Sequence, residues 1–461
     1  MRSDSVSDAA AAPQARPRER DIALYLLALA GPMIATNISR TVMSFVDFIM
    51  VSHLGTDAQA AILPASLTVF STIAFGLGMV AAVNTLVSQT LGRGRLADCS
   101  TYGWQGLYLS LGIGMALLPA WLLVEPLFTW LDHGPRVVAM EIVYTQIGLL
   151  GIGPTIAAAA LSNFFTGIHR PAIGFVAALV SNIFNAIANY ALIFGHFGFA
   201  PMGIEGAAWA TLAAGLLQLL ILLGWMMLPR YGRAYGTWRT WRASTRHMRQ
   251  LLRVGLPTGA HFGADMISWW AFTVILIGRF GKIELAANNI CFKFLEVAFM
   301  PAVGLGFALT AAVGRSIGEG RPDIARRYVA WALRFMVAYM GLIGLMMAVF
   351  RHELPALLTD SDQVVSAAVP LMIFCAIFQA GDAVSITFNR ALHGAGDTFW
   401  PAVLFVLSVT VVQLGGGWVM ATLMPQWKSI GPWLAATVHL FLMGAILWAR
   451  FRFGPWERIK L

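Results

Sequence analysis

The sequence predicts an all-α polytopic membrane protein, with twelve transmembrane helices in two pseudo-symmetric six-helix lobes. Three observations carry this expectation. Of the 461 residues, 58% are hydrophobic and only 11% are charged, whereas a soluble domain carries about 25% charged residues. Apolar runs long enough to cross a bilayer recur along the whole chain, and mean hydropathy is +0.71. The chain also repeats itself at an interval of about 226 residues. A water-facing surface cannot be built from this composition, so soluble enzymes and nucleic-acid binders are close to excluded. The net charge of +9 points first to basic loops on one side of a membrane rather than to a nucleic acid.

The first 20 residues are rich in Ala, Pro and Arg and lack an apolar core. They read as a disordered cytoplasmic tail rather than a cleavable signal peptide. A spanning helix needs about 20 apolar residues. Twelve segments qualify, near 22–51, 59–90, 101–124, 138–167, 171–196, 205–228, 251–279, 284–314, 327–350, 363–392, 399–423 and 430–451. The loops then separate by charge. One set, with Arg390 counted in it, holds 24 of the 31 Lys and Arg, the other set holds five, and Arg40 and Lys293 fall inside spans. Both termini are therefore expected in the cytoplasm.

The repeat pairs GPMIATN at 31–37 with GLPTGAH at 255–261, LGRGRLAD at 91–98 with IGEGRPDI at 317–324, and FTGIHRPA at 165–172 with LHGAGDTF at 392–399. It divides the chain into an N-lobe (21–228), a linker (229–250) and a C-lobe (251–461). An even number of spans in each lobe makes the two parallel repeats about an axis along the membrane normal, the architecture of a rocking transporter. The linker is basic and aromatic and suits anionic lipid headgroups. The three cysteines, Cys99, Cys291 and Cys375, form no metal or disulfide pattern.

A charge within a span costs at least about 2.5 kcal/mol at the centre and is a functional candidate by default. Asp47, Asp265 and Asp382 lie well inside apolar segments. Each can exchange a proton, coordinate Na⁺ or face a cationic ligand, and each could instead simply tie helices together. His261 and Asp265 share a helix face, and Trp269 extends that stripe by one turn. An indole beside a carboxylate suits an organic cation, although Trp269 facing lipid is the blander reading. Lys293 and Glu296 have the spacing of an intrahelical ion pair. Asn182, Asn185 and Asn189 line the fifth span, where asparagines either glue helices or offer neutral oxygens to a cation. Pro32, Pro257, Pro301 and Pro370 permit kinks, and the glycines at 255, 259 and 263 read as a packing face. No phosphate-loop or hydrolase fingerprint is present.

Taken in order, VDFIMVSHLG, LGRGR, GLPTGAHFGAD and FQAGDAV on a twelve-span repeat resemble the multidrug and toxic compound extrusion (MATE) transporters, most of all the bacterial NorM-type branch. The resemblance covers about residues 20–455. It implies a multi-pass protein of the bacterial inner membrane that exports cationic or amphiphilic drugs and toxic compounds in exchange for H⁺ or Na⁺. It implies no cofactor beyond that coupling ion, no nucleic-acid partner and a monomer in membrane lipid. It places Asp47, Asn185, Asn189 and Thr211 in an N-lobe cation site. It places Asp265 and Asp382, with His261, in a C-lobe coupling or substrate site, and Trp269, Phe378 and Gln379 along the substrate path. NorM-type members carry a tyrosine where this chain has Phe378, which removes one oxygen from the C-lobe set. Two rival functions stand beside this one. A lipid-linked saccharide or peptidoglycan-precursor flippase would need Arg40 and Lys293 in one cavity. A membrane-embedded enzyme would need a third polar partner at His261 and Asp265.

Overall fold

A computed structural model describes residues 18–131 and 134–459. The tail expected to be disordered lies outside the described residues up to residue 17. Helices run in the order α1 (Glu19–Ser52), α2 (Thr56–Gly92), α3 (Leu96–Leu117), α4 (Trp121–Leu131), α5 (Pro135–Leu150), α6 (Ile152–Gly167), α7 (Pro171–Phe194), α8 (Ile204–Met227) and α9 (Pro229–Tyr235). The second half continues with α10 (Thr245–Ala271), α11 (Lys282–Gly318), α12 (Pro322–Val349), α13 (Glu353–Ala356), α14 (Asp362–Ala395), α15 (Phe399–Ser408), α16 (Gly416–Leu423) and α17 (Ile430–Phe453). Eleven spans are uninterrupted by any sharp bend, and a twelfth is the pair α5 and α6, bent by 47°. The one break this sharp among the described residues falls at Gly151 and not at any of the four expected prolines, which sit within continuous helices. Short π-helical turns at Phe272–Ile277 and Val409–Gly415 interrupt two C-lobe spans.

α14 extends to Ala395, so Arg390, inside the expected span 363–392 but counted with the loops by its charge, is helical. The linker is not featureless: α9 occupies its start, and it is tied to α3 by Ser100 Oγ donating to the Tyr235 carbonyl (2.7 Å) and Trp104 Nε1 to that of Thr237 (3.0 Å). Trp238 and Trp241 remain exposed.

The lobes join along a seam in the half of the bundle nearer the described chain ends. Leu26, Leu29 and Ala30 of α1 pack with Leu305, Leu309 and Val313 of α11 in one apolar cluster. Hydrogen bonds reinforce it. Asn84 Nδ2 donates to the Phe307 carbonyl (3.1 Å), Thr85 Oγ1 to that of His393 (3.0 Å), and Gln89 Nε2 to that of Gly394 (3.0 Å). The glycines at 255, 259 and 263 do form a packing face, and it is also part of the seam. A methyl group on Gly259 would lie 2.7 Å from Met79 Cγ, and one on Gly255 2.7 Å from the Met79 carbonyl oxygen. Beyond these contacts a cavity of about 530 Å³ opens between α2 and α10, lined by residues that include Ser71, Phe75, Met266 and Trp270.

Candidate functional site

In the N-lobe, α1, α7 and α8 bring together the four residues expected to form a site. Asp47 lies late in α1, two turns beyond Arg40. Asn189 Nδ2 donates to Asp47 Oδ1 at 2.5 Å and to Asn185 Oδ1 at 3.0 Å, and Asn185 Nδ2 lies 3.5 Å from Thr211 Oγ1. The i,i+4 spacing of the two asparagines puts both amides on the α7 face that meets α1. With the Asn185 amide turned over, its nitrogen donates to Asp47 Oδ1 at 2.9 Å and its oxygen accepts from the Thr211 N–H at 3.3 Å. Asn189 Oδ1 is buried without a partner, which leaves one neutral oxygen available to a cation. Tyr144, which no spacing argument singled out, adds a hydroxyl in contact with Ser66 and Thr211. Asn182 turns aside and donates to Ser39 Oγ (2.8 Å), acting as helix glue.

In the C-lobe, Asp265 on α10 and Asp382 on α14 lie within reach of each other's charge, and Trp269 stands one turn beyond Asp265. Trp269 does not face lipid. Its ring packs 5.2 Å from Phe292, 5.5 Å from Phe272 and 5.9 Å from Phe378, which makes an aromatic wall beside the carboxylate. The neighbouring Trp270 is the exposed one. His261 stacks on Phe405 at 4.1 Å, and its Nδ1 is buried without a partner. No third polar ligand completes a catalytic or metal constellation there. Among the described residues no group of three or more His, Cys, Asp or Glu could hold a metal ion. Gln379 is 1% exposed and turns its amide to Met347 Sδ on α12. It follows Phe378 directly, and one residue of helix rotates it about 100° away from the aromatic wall.

The basic residues within spans also resolve. Lys293 pairs with Glu296 at 3.4 Å, as its spacing suggested, and lies over the Phe45 ring at 5.9 Å. Arg40 forms no ion pair with Asp47. Among the described residues none of Asp47, Asp265 and Asp382 has a basic group within ion-pair distance. Sequence reasoning missed Arg390, which lies against the Phe307 ring at 4.2 Å. The available signal was its position eight residues after Asp382, close to the same helix face.

Twelve spans in two like lobes, with acids that lack basic partners inside the spans of each lobe, define a secondary transporter. The MatE family model matches residues 32–191 and 264–419, and the chain belongs to that family, the MATE transporters. It is 29% identical over 433 residues to a probable multidrug resistance protein NorM of Rhizobium meliloti, with 92% of each chain covered. It is 28% identical to multidrug resistance protein PmpM of Pseudomonas aeruginosa over 375 residues, covering 81% of this chain and 78% of that one. Its fold matches a multidrug resistance MATE family transporter solved in an outward-facing conformation, with a TM-score of 0.86, 18% identity, and coverage of 95% of this chain and 97% of that one. The protein is thus a multi-pass membrane transporter and not an enzyme.

Proposed function

We propose that the protein exports cationic or amphiphilic drugs across a bacterial inner membrane in exchange for H⁺ or Na⁺, with both termini in the cytoplasm. The observation that carries this is the set of three membrane aspartates without basic partners. Each is an acid kept among apolar helices, where it is a candidate for a positive ligand. The N-lobe cluster suits the coupling ion. Asp47 supplies the charge, and Asn185, Asn189 and Thr211 supply neutral oxygens. The C-lobe suits the drug, with Asp265 and Asp382 set beside the aromatic wall of Trp269, Phe292 and Phe378. A cavity of about 530 Å³ between the lobes is in the size range of small-molecule sites. With the seam closed on the side of the chain ends, the cleft faces outward. Ion binding and drug binding then favour different states, which is the condition for coupling.

The names of the relatives in Rhizobium meliloti and Pseudomonas aeruginosa support drug export as the activity. A flippase finds less support, because Lys293, which would have to meet an anionic headgroup, is paired with Glu296 at 3.4 Å. The test is reconstitution into proteoliposomes with an imposed pH or Na⁺ gradient, following ethidium movement. Gradient-driven ethidium transport that falls in Asp47→Asn is expected. Absence of transport with either gradient would overturn the reading.

A further inference from the structure

Arg390 is a full charge in the interior of the C-lobe that the export mechanism does not use. Its side chain is half-buried and has no ion-pair partner among the described residues. It occupies a built cradle: its guanidinium lies on the face of Phe307 at 4.2 Å, and its aliphatic stem fills the space left by Gly306, where an added methyl group would lie 2.8 Å from Arg390 Cγ. The antiparallel course of α10 and α14 sets its level. The His261 and His393 rings lie 6.1 Å apart. Asp265 is one turn beyond His261 and Arg390 one turn before His393, so the acid and the guanidinium share the next rung towards the membrane centre. Their opposite charges act on each other without closing into a salt bridge.

Arg390 also lies at the seam. With His393 and Thr310 it lines a water-sized pocket whose other wall includes Ala81, Ala82 and Thr85 of the N-lobe. The terminal turns of α14 are held there by Thr85 and Gln89, which donate to the carbonyls of His393 and Gly394. When the lobes part on that side, these clamps are lost and the cradle opens on one wall.

We propose that Arg390 is an internal counter-cation of Asp265, one whose distance from that acid depends on whether the seam is closed. Parked on Phe307 with the seam closed, it opposes the binding of an external cation at that acid and so favours release outward. The inference rests on the proposed cation export and adds the residue that sets the affinity of its C-lobe site. Opposite charges in a partly buried setting interact strongly enough, even short of a salt bridge, to change cation affinity about tenfold or more.

The experiment measures binding of tetraphenylphosphonium to the purified full-length protein, for wild type, Arg390→Gln and Arg390→Lys, each also with Asp265→Asn. Arg390→Gln is expected to bind about tenfold tighter and Arg390→Lys to bind like wild type, with the gain lost in the Asp265→Asn background. A purely structural role would not show rescue by lysine together with dependence on Asp265. Should Arg390→Gln not fold, Arg390→Met, which keeps the apolar contact with Phe307, carries the same expectation. Wild-type or weaker affinity in the neutral variant, with binding intact in wild type, would overturn this inference alone. Binding by neither protein would overturn it together with cation export.

Discussion

Gly92 and Gly318 meet backbone to backbone across the seam: a methyl group on either would lie 2.9 Å from the Cα of the other. They occupy equivalent positions of the repeat, ending α2 in LGRGR and α11 in IGEGR. Each is followed two residues later by a glycine in the left-handed region, Gly94 (φ 73°) and Gly320 (φ 71°), which turns the chain into the next helix. A methyl on Gly92 would also reach 2.2 Å from the Arg315 carbonyl oxygen, and one on Gly318 2.1 Å from that of Gln89. These are backbone atoms in rigid helices and cannot give way. Gly92→Val and Gly318→Val should therefore prevent closure of the seam while leaving each lobe folded. Ethidium export should fall at least about tenfold, and a cysteine placed at Thr85 should become reactive to a membrane-impermeant thiol reagent applied from the side of the chain ends. Wild-type export by Gly318→Val would contradict this account of closure.

A second contact at the seam depends on pH. The Tyr25 hydroxyl donates to His169 Nδ1 at 2.5 Å and accepts from Arg315 Nη1 at 3.2 Å, while His169 Nε2 donates to the Ala311 carbonyl at 3.2 Å. Both ring nitrogens are used as a neutral imidazole uses them. His169 lies in the loop between α6 and α7, where burial, with Arg315 beside it, pushes its pKa down from 6.5 to about 4. Once the seam opens, the ring regains water and its ordinary pKa, so the open state takes up a proton first. The closed state keeps its full advantage above about pH 6.5 and loses about 1.4 kcal/mol per pH unit as pH falls from there towards 4. Acidification of the compartment facing the chain ends from pH 7.5 to 5.5 should raise thiol access at the seam. His169→Gln should abolish that pH dependence. An unchanged pH response in His169→Gln would rule out the histidine as its source.

The contrast between these two contacts shows what a single sequence exposes. Gly92 and Gly318 were visible as a repeated motif, because both halves need the same turn. His169 was not. It holds the left-handed position (φ 59°) that Gly396 (φ 90°) holds in the second lobe, and its partners Tyr25 and Ala311 lie more than 140 residues away in the chain. The spans were legible because a bilayer demands long apolar runs, and Asp47, Asp265 and Asp382 because few charges survive inside them. Arg390 was hidden by the same logic: a basic residue near the end of an apolar run looks like loop until helix packing is known.

Stability should depend on an ion pair outside the transport path. Arg450 Nε donates to Asp397 Oδ2 at 2.7 Å, and the Asp397 side chain is 4% exposed. This pair ties the turn after α14 to the end of α17, and the Arg450 guanidinium also lies 5.7 Å from the Trp400 ring. Removing one member of a buried pair strands the other and costs about 3–5 kcal/mol. Asp397→Ala should lower the midpoint of thermal unfolding in detergent by several degrees, and Asp397→Ala with Arg450→Met should recover part of the loss. A single variant as stable as wild type would show that water already screens the pair.

The sharpest test of the N-lobe cluster separates charge from shape. Asp47→Asn keeps the side-chain volume and can still hydrogen-bond to Asn189, so the fold should hold. It removes the charge that a proton or Na⁺ would neutralise, and with it the difference in ion affinity between the two states. Without that difference no gradient can bias the equilibrium, however tightly the drug binds. Asp47→Asn should therefore retain tetraphenylphosphonium binding at the C-lobe acids and lose at least about tenfold in gradient-driven export. Asn189→Ala removes the 2.5 Å donor but leaves the charge, and should weaken export less while shifting its pH dependence. Thr211→Val, whose hydroxyl stands 3.5 Å from the Asn185 amide, should have the smallest effect under a proton gradient. Its effect should be larger under a Na⁺ gradient if that ion uses the hydroxyl as a ligand. The ratio of the two Thr211→Val effects in the same proteoliposomes thus reports which ion the cluster takes. Equal loss of drug binding and export in Asp47→Asn would instead place the drug, and not the ion, at Asp47.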